Sequence, residues 1–447
     1  MSSQNKKYPA EINYSQPLDD LNRYVKLAAE FGYQGEAEET VRQFYEFVGQ
    51  QVDRMDTLVR NALPDPEEPE TLEEIRAHRP QGERRLCAAL PADYRERWLG
   101  SFLGRGAGCT LGAALEFCEV DEMEKWAAYF GDEYPLRDYW SRVKNPYTDR
   151  YIVGKREDLT RNHMKAIPVD DDMAYTLVGL LTLEQYGPNF TQEQMLKVWE
   201  ERLPLTGENG SFGIYWGERQ MMLNRLAGLP ADQAGFVKNP NVQSVAAWTR
   251  ADTWGYVAPG WPEKAAELAF RDASTNHRRN GVYGEMFMAA AVAAAFAVDD
   301  PVEALRIALQ EIPANCQFAQ GVQWALEVGG EVTGYRQAAQ MVRKRYDGMF
   351  KGHAVNNGLF VVLGILIGQK DFTKVIGETI AMGYDNDCTG ATAGSIVGAV
   401  VGKRGIPAHW YQPFQNRMHS YLKGCPEYLD VNELALRYEK QAKIILK

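Results

Sequence analysis

The sequence lacks any CxxC pair: its six cysteines (Cys87, Cys109, Cys118, Cys316, Cys388 and Cys425) are scattered over 447 residues. That scatter excludes a disulfide framework and suits reduced thiols, so a cytoplasmic location is expected. The first 25 residues hold no apolar segment of the kind a secretion signal needs, and no signal peptide is expected. The longest apolar runs, near 286–298 and 358–368, fall short of the ~18–20 residues of a membrane span. Positive charge is scarce too: 49 Lys and Arg face 60 Asp and Glu, for a formal net charge of −11. Binding to a nucleic-acid scaffold or an anionic membrane leans on Lys and Arg, so neither is expected as the main partner. Alternating β-type runs are few, and no βαβ rhythm occurs. The motifs GxxxxGK[ST], HExxH and GxSxG are all absent, which removes the P-loop, zincin and nucleophile-elbow chemistries.

What remains is globular and helical. The chain is 45 % hydrophobic and 24 % charged, well clear of disordered compositions. Its length allows several domains or one large one. Residues 1–16 are polar and expected to be mobile. Two amphipathic helices follow between about 18 and 63, broken near Gly32–Gly35. The Pro- and Glu-rich stretch from Leu63 to Glu70 cannot be helical throughout and reads as a linker. Thr71 with Glu74, and Thr191 with Gln194, have the spacing of helix-capping boxes. Helical periodicity is expected over 173–185, 191–202, 262–273, 284–297, 301–309 and 335–346.

Glycine is plentiful, at 40 residues, and two sets of it are periodic. Gly100, Gly104, Gly108 and Gly112 recur every fourth residue, as do Gly390, Gly394, Gly398 and Gly402. A spacing of four places each set on one helix face, where another backbone can approach closely. Each interior glycine costs roughly 0.5–1 kcal/mol relative to alanine, so dense packing must offset the loss. Either the two faces serve packing alone, or they draw two helices together beneath a site.

Two acidic clusters stand at the ends of such helices. Asp170, Asp171 and Asp172 precede the apolar run from Met173; Asp385 and Asp387 precede the second glycine helix. Carboxylates at a helix start cap free N–H groups and complement the macrodipole. Three consecutive aspartates exceed what a cap requires, and their repulsion favours a hard divalent cation. An EF-hand is excluded because its twelfth position would be Ile396, which offers no carboxylate. Gly104-Arg-Gly106-Ala-Gly108 lacks the GxGxxG spacing of a dinucleotide site.

Ordered motifs then match a known family. The segment Arg97-Trp-Leu-Gly100-Ser-Phe-Leu-Gly104-Arg-Gly-Ala-Gly108-Cys-Thr-Leu-Gly112-Ala-Ala-Leu-Glu116 resembles the opening motif of the ADP-ribosylglycohydrolase family. Asp170–Asp172 is similar to its Thr-Asp-Asp metal motif. Asp385-Asn-Asp387-Cys388, with the following Gly/Ala helix and Gly405-Ile-Pro407, resembles its C-terminal Asp-x-Asp-Thr motif. Arg250-Ala-Asp-Thr-Trp254-Gly255-Tyr256 and Thr275-Asn-His277 are similar to its central substrate segments. The resemblance runs from about residue 95 to 410.

It implies an all-α fold: one large orthogonal helical domain over 92–447, with an N-terminal helical extension and linker over 1–91. The extension is expected to be dispensable for chemistry, serving as a cover or in self-association. The resemblance also implies two Mg²⁺ per chain, with Mn²⁺ as the alternative, and hydrolysis of the bond joining ADP-ribose to a protein side chain or other acceptor. The partner would be an ADP-ribose-containing substrate, such as an ADP-ribosylated protein. By resemblance, Asp170, Asp171, Asp172, Asp385, Asp387 and Thr389 hold metal, and Glu116, Asp171, Asp172 and Asp385 serve catalysis. Substrate contacts are expected from Glu116, Arg250, Trp254, Gly255, Tyr256, His277, Asn356 and Asn357. Three departures stand out: Cys388 where many members have Thr, Cys109 where Asp is common, and Val169 ahead of the aspartates, which leaves the register of that cluster open. A non-catalytic, crystallin-like member or a hydrolase of a small ribosyl glycoside are the other readings.

Overall fold

The helical periodicity is realised as helices joined by turns in a computed structural model describing residue 8 and residues 15–144, 156–205 and 214–447. The expected segments form Ser15–Glu30, Gln34–Arg60, Leu72–His78, Asp171–Tyr186, Gln192–Arg202, Pro262–Ala273, Asn280–Ala295, Pro301–Ala308 and Tyr335–Arg345. Both capping signals hold: Thr71 accepts the Glu74 N–H at 3.3 Å, and Thr191 and Gln194 close a reciprocal box. The largest boundary difference is at Asn280, four residues ahead of expectation. The helix opens on a polar residue, Asn280, fixed by side-chain bonds to Gln243 and Glu68, which an apolar pattern cannot signal. The strands of the described residues are Arg417–His419 and Tyr428–Asp430, antiparallel with Met418 opposite Leu429. Among the described residues, no helix is long and apolar enough to cross a membrane. All six cysteines are free.

The Asn280–Ala295 helix is buried along its whole length, as expected of a helix apolar on every side. Pro262–Ala273, Pro301–Ala308 and Ala354–Gly368 surround it. The two glycine helices, Tyr94–Ala113 and Asn386–Val401, pack antiparallel against each other. A Cβ at Gly100, Gly104, Gly108 or Gly112 would meet the carbonyl oxygen of Gly398, Gly394, Gly390 or Asn386, respectively. The contact is reciprocal, since a Cβ at Gly394 or Gly398 would meet Gly104 O or Gly100 O. Ser101 Oγ and Ser395 Oγ complete the seam at 2.8 Å.

Residues N-terminal to this body divide by their contacts. Most of the polar 1–16 stretch lies outside the described residues, and the first helix begins at Ser15. The hairpin Ser15–Arg60 meets the body at Lys238, whose N–H donates to Asp56 at 2.8 Å and whose Nζ pairs with Asp53 at 2.6 Å. The segment after it is strapped down. Asn280 donates to the buried Glu68 at 2.8 Å, Arg79 and Arg84 pair with Glu311 at 2.7 and 3.1 Å, and the Leu86 N–H reaches Gly260 O at 2.7 Å.

Candidate metal centre

The glycine seam sets the site by bringing helix ends together. Its last step, Gly112 on Asn386, lays the C-terminus of the first glycine helix beside the start of the second. Glu116 follows that C-terminus, and Asn386 Nδ2 donates to Leu115 O at 3.3 Å. Gly383 and Tyr384 turn the chain with φ of 82° and 62°, so that Asp385 and Asp387 flank the first residue of their helix. Asn357 Oδ1 accepts the Asp385 N–H at 3.2 Å, while its Nδ2 donates to Lys351 O and His353 O. On the facing side Asp170 is the N-cap of Asp171–Tyr186, accepting the Asp172 N–H at 3.2 Å.

Three groups of ligand atoms lie within 4.8 Å of one another: Cys109, Asp170 and Asp172; Asp172, Asp387 and Cys388; Glu116, Asp385 and Asp387. Asp172 and Asp387 are shared, so the three form one continuous cluster. The four aspartates in it are buried and Glu116 is half-buried, which puts the open side at Glu116. Asp171 is buried beside the cluster and acts on Asp172 and Cys388 through its charge. Thr389, in the first turn of the second glycine helix, donates its hydroxyl to Asn386 O at 3.3 Å.

Burial pushes the Asp172 carboxyl well above its ordinary range; Arg105 opposes this, and Asp387, Asp170 and Asp171 add to it. Like charges this close disfavour full ionisation unless a cation is present. Asp172 Oδ1 takes Arg105 at 2.7 Å, whereas its buried Oδ2 has no hydrogen-bond partner among the described residues. An orphaned buried carboxylate oxygen among four further carboxylates is a donor set that fits a hard divalent cation. Burial pushes the Cys109 and Cys388 thiols well above their usual range, which leaves oxygen as the dominant donor.

The family model described as ADP-ribosylglycohydrolase matches residues 90–443. The chain belongs to the ADP-ribosylglycohydrolase family. A solved structure titled "ADP-ribosylglycohydrolase-related protein complex" is similar at 18 % identity, with a TM-score of 0.49, covering 80 % of this chain and 99 % of that one. No curated protein matches the chain.

In this member of the family, five of the residues chosen from sequence converge: Glu116, Asp170, Asp172, Asp385 and Asp387. Asn357 supports them through Asp385, and Asn356 donates to Phe350 O at 2.9 Å. Arg250, Trp254 and His277 are instead drawn into a second buried network, and Tyr256 is buried apart from it. Arg250 pairs with Glu218 at 2.7 Å and Asp272 at 2.9 Å, and donates to Asn276 at 2.8 Å. Trp254 Nε1 donates to Asp272 and Glu285 at 3.1 and 3.0 Å. His277 spans Asn276 and Ser244 at 2.6 and 3.0 Å. Gly255 lies against Val292, and Tyr256 donates to Asp252 at 3.3 Å. His353 caps its helix by accepting the Val355 N–H at 3.2 Å.

Arg105 ties Asp172 of the acidic centre to the Asp252–Tyr256 pair and was not singled out by sequence reasoning. Fully buried, it donates to Asp172 Oδ1 at 2.7 Å, Asp172 O at 3.0 Å, Asp252 at 2.8 Å and Thr249 O. Burial opposes its charge, but Asp252 and Asp172 outweigh that and raise its pKa above the usual arginine value. A lone charge between Gly104 and Gly106 on a close-packed helix was the available signal. Arg156, 3.6 Å from Asp170 Oδ2, carried no such signal.

Proposed function

We propose that this family member is a Mg²⁺-dependent hydrolase cleaving the glycosidic bond between ADP-ribose and a protein side chain or other acceptor. The observation that carries the reading is the single carboxylate cluster at the facing ends of the glycine helices, in a chain matched by the family over 90–443. Asp170, Asp171, Asp172, Asp385, Asp387 and Thr389 would hold two Mg²⁺, with Mn²⁺ as the alternative; the clustered oxygens support that choice. The cations, when bound, supply orientation of the terminal-ribose diol and a lower pKa for the attacking water. Breaking the bond at C1 builds oxocarbenium character, which Asp171, Asp172 and Asp385 stabilise by charge. Glu116, the half-buried member on the open side, takes the proton of the water as its oxygen bonds to C1. The leaving group departs with the bonding pair and takes up, through solvent, the proton that Glu116 received, which returns Glu116 to its ionised form. Arg250, Trp254, Gly255 and His277 then act by holding the wall behind the aspartates, Tyr256 by bonding the Asp252 that holds Arg105, and Asn356 and Asn357 by fixing the Asp385 turn. Residues 92–447 form the catalytic unit and 1–91 an extension, a division supported by where the family match begins.

The test incubates the protein with ADP-ribosylated arginine, serine and nucleic-acid ends, with and without EDTA, and follows released ADP-ribose. Metal-dependent release that is lost in Asp387→Asn is expected. Metal-independent release, or undiminished release by Asp387→Asn, refutes the reading.

A further inference from the structure

The hairpin Ser15–Arg60 carries an apolar seam that the other described residues leave uncovered. Of the 22 large hydrophobic side chains exposed in the described residues, 13 fall between Tyr24 and Leu63, far more than scattered surface exposure would give. Six of them, Val41, Tyr45, Val48, Val52, Met55 and Val59, follow a 4-3-4-3-4 spacing on the Gln34–Arg60 helix. That is the a/d repeat of a coiled coil, whose seam is complete only against a second helix. Ala37, Phe44 and Gln51, seven residues apart and among the helix's less exposed positions, flank that seam on the side toward the first helix. The six seam residues are between 37 % and 70 % exposed.

We infer that the seam is a homodimer interface, in which the Gln34–Arg60 helices of two copies pair antiparallel and the two hairpins make a four-helix bundle. Self-complementarity selects a second copy as the occupant. In the antiparallel register Val41 lies opposite Val59 of the second copy, Tyr45 opposite Met55, and Val48 opposite Val52, so each layer joins side chains of matched size. The same register puts the twofold axis at Gln50, so the two Gly49 backbones lie beside it, offset by about 3 Å along the helix axis. No atom of the described residues lies within 4 Å of the position of a Gly49 Cβ, so that approach is open. Antiparallel pairing also separates the two bodies. Each body attaches near the C-terminal end of its seam helix, at Asp53 and Asp56, and the helix is roughly 40 Å long. The seam residues alone offer on the order of 600 Å² per copy, about 1,200 Å² for the pair, which reaches the lower edge of stable interfaces before flanking residues are counted.

The full-length protein is examined by light scattering across a concentration series, beside the double variant Val48→Glu, Val52→Glu. The wild type is expected at twice the chain mass, and the variant at the chain mass with unchanged helicity and unchanged melting of the body. Gly49→Cys, under mild oxidation, is expected to cross-link to a disulfide dimer while the wild type, with its own six cysteines, does not. A wild type that stays monomeric at every concentration overturns the inference, whether the hairpin is then found on anionic vesicles or on an unrelated helical protein. So does a double variant that stays dimeric, or a dimer that Gly49→Cys fails to trap.

Discussion

Arg105→Met tests whether the acidic centre is held by its buried arginine. Methionine keeps the length and apolar stem of arginine but removes the guanidinium. In the folded protein that guanidinium lies 2.7 Å from Asp172 Oδ1 and 2.8 Å from Asp252 Oδ2, with all three side chains fully buried. Removing one partner of a buried ion pair costs about 3–5 kcal/mol, because the remaining charge is left uncompensated. Here two carboxylates lose the same cation, and the carbonyls of Asp172 and Thr249 lose its donors. We therefore expect about 4 kcal/mol or more, read as a lower urea midpoint in EDTA. Asp252→Asn alone should also destabilise, since it leaves Arg105 with one anion while the Tyr256 hydroxyl bond survives. Combined with Arg105→Met it should recover part of the loss, because one uncompensated carboxylate has gone. The double-mutant cycle should give a coupling of roughly 1–3 kcal/mol. A loss below about 1 kcal/mol for Arg105→Met, or strictly additive effects, would refute the view of Arg105 as the tie between Asp172 and Asp252.

Gly108→Ala places a Cβ against the Gly390 backbone and should destabilise by about 1–3 kcal/mol or more; an unchanged urea midpoint would dissolve the glycine-seam argument. Burial, aided by Arg250 and Arg278, holds His277 well below its ordinary pKa of 6.5, so the unfolded chain binds a proton there that the folded chain does not. Stability should therefore fall as pH drops below that value, by up to about 1.4 kcal/mol per pH unit from this group. His277→Gln should lose that slope, and parallel wild-type and variant stability curves between pH 6.5 and 5 would be the contrary result. A chain beginning at Asp65 should keep the melting temperature of the body. One beginning at Ala92 should lose about 3–5 kcal/mol, because Glu311 stays buried without Arg79 and Arg84; equal melting of the two would remove the strap from the account.

Much of the architecture was legible because its signals are local and periodic. Glycine every fourth residue stated that two helices have bare faces, and the structure sets those faces on each other in register. Aspartates at two helix starts marked where charge would collect, and they do collect. The central Arg250-to-His277 region was not legible in the same way. An arginine, a tryptophan and a histidine in a Gly- and Pro-rich stretch read alike whether they face a ligand or one another. What decides is the placement of Glu218, Asp272 and Glu285, which lie 32, 22 and 35 positions from Arg250 in sequence and reach it only through the fold. The same holds for the Leu63–Glu70 linker, whose composition signals a spacer, yet Glu68 docks on Asn280 from 212 positions away.

The central claim is that the two acidic clusters form one divalent-cation centre, and calorimetric titration of the metal-free protein with Mg²⁺ and with Mn²⁺ tests it most directly. Two ions per chain are expected in the wild type, with affinity or stoichiometry reduced in both Asp172→Asn and Asp387→Asn while each variant keeps its fold by circular dichroism. Unchanged stoichiometry and affinity in Asp387→Asn would contradict it.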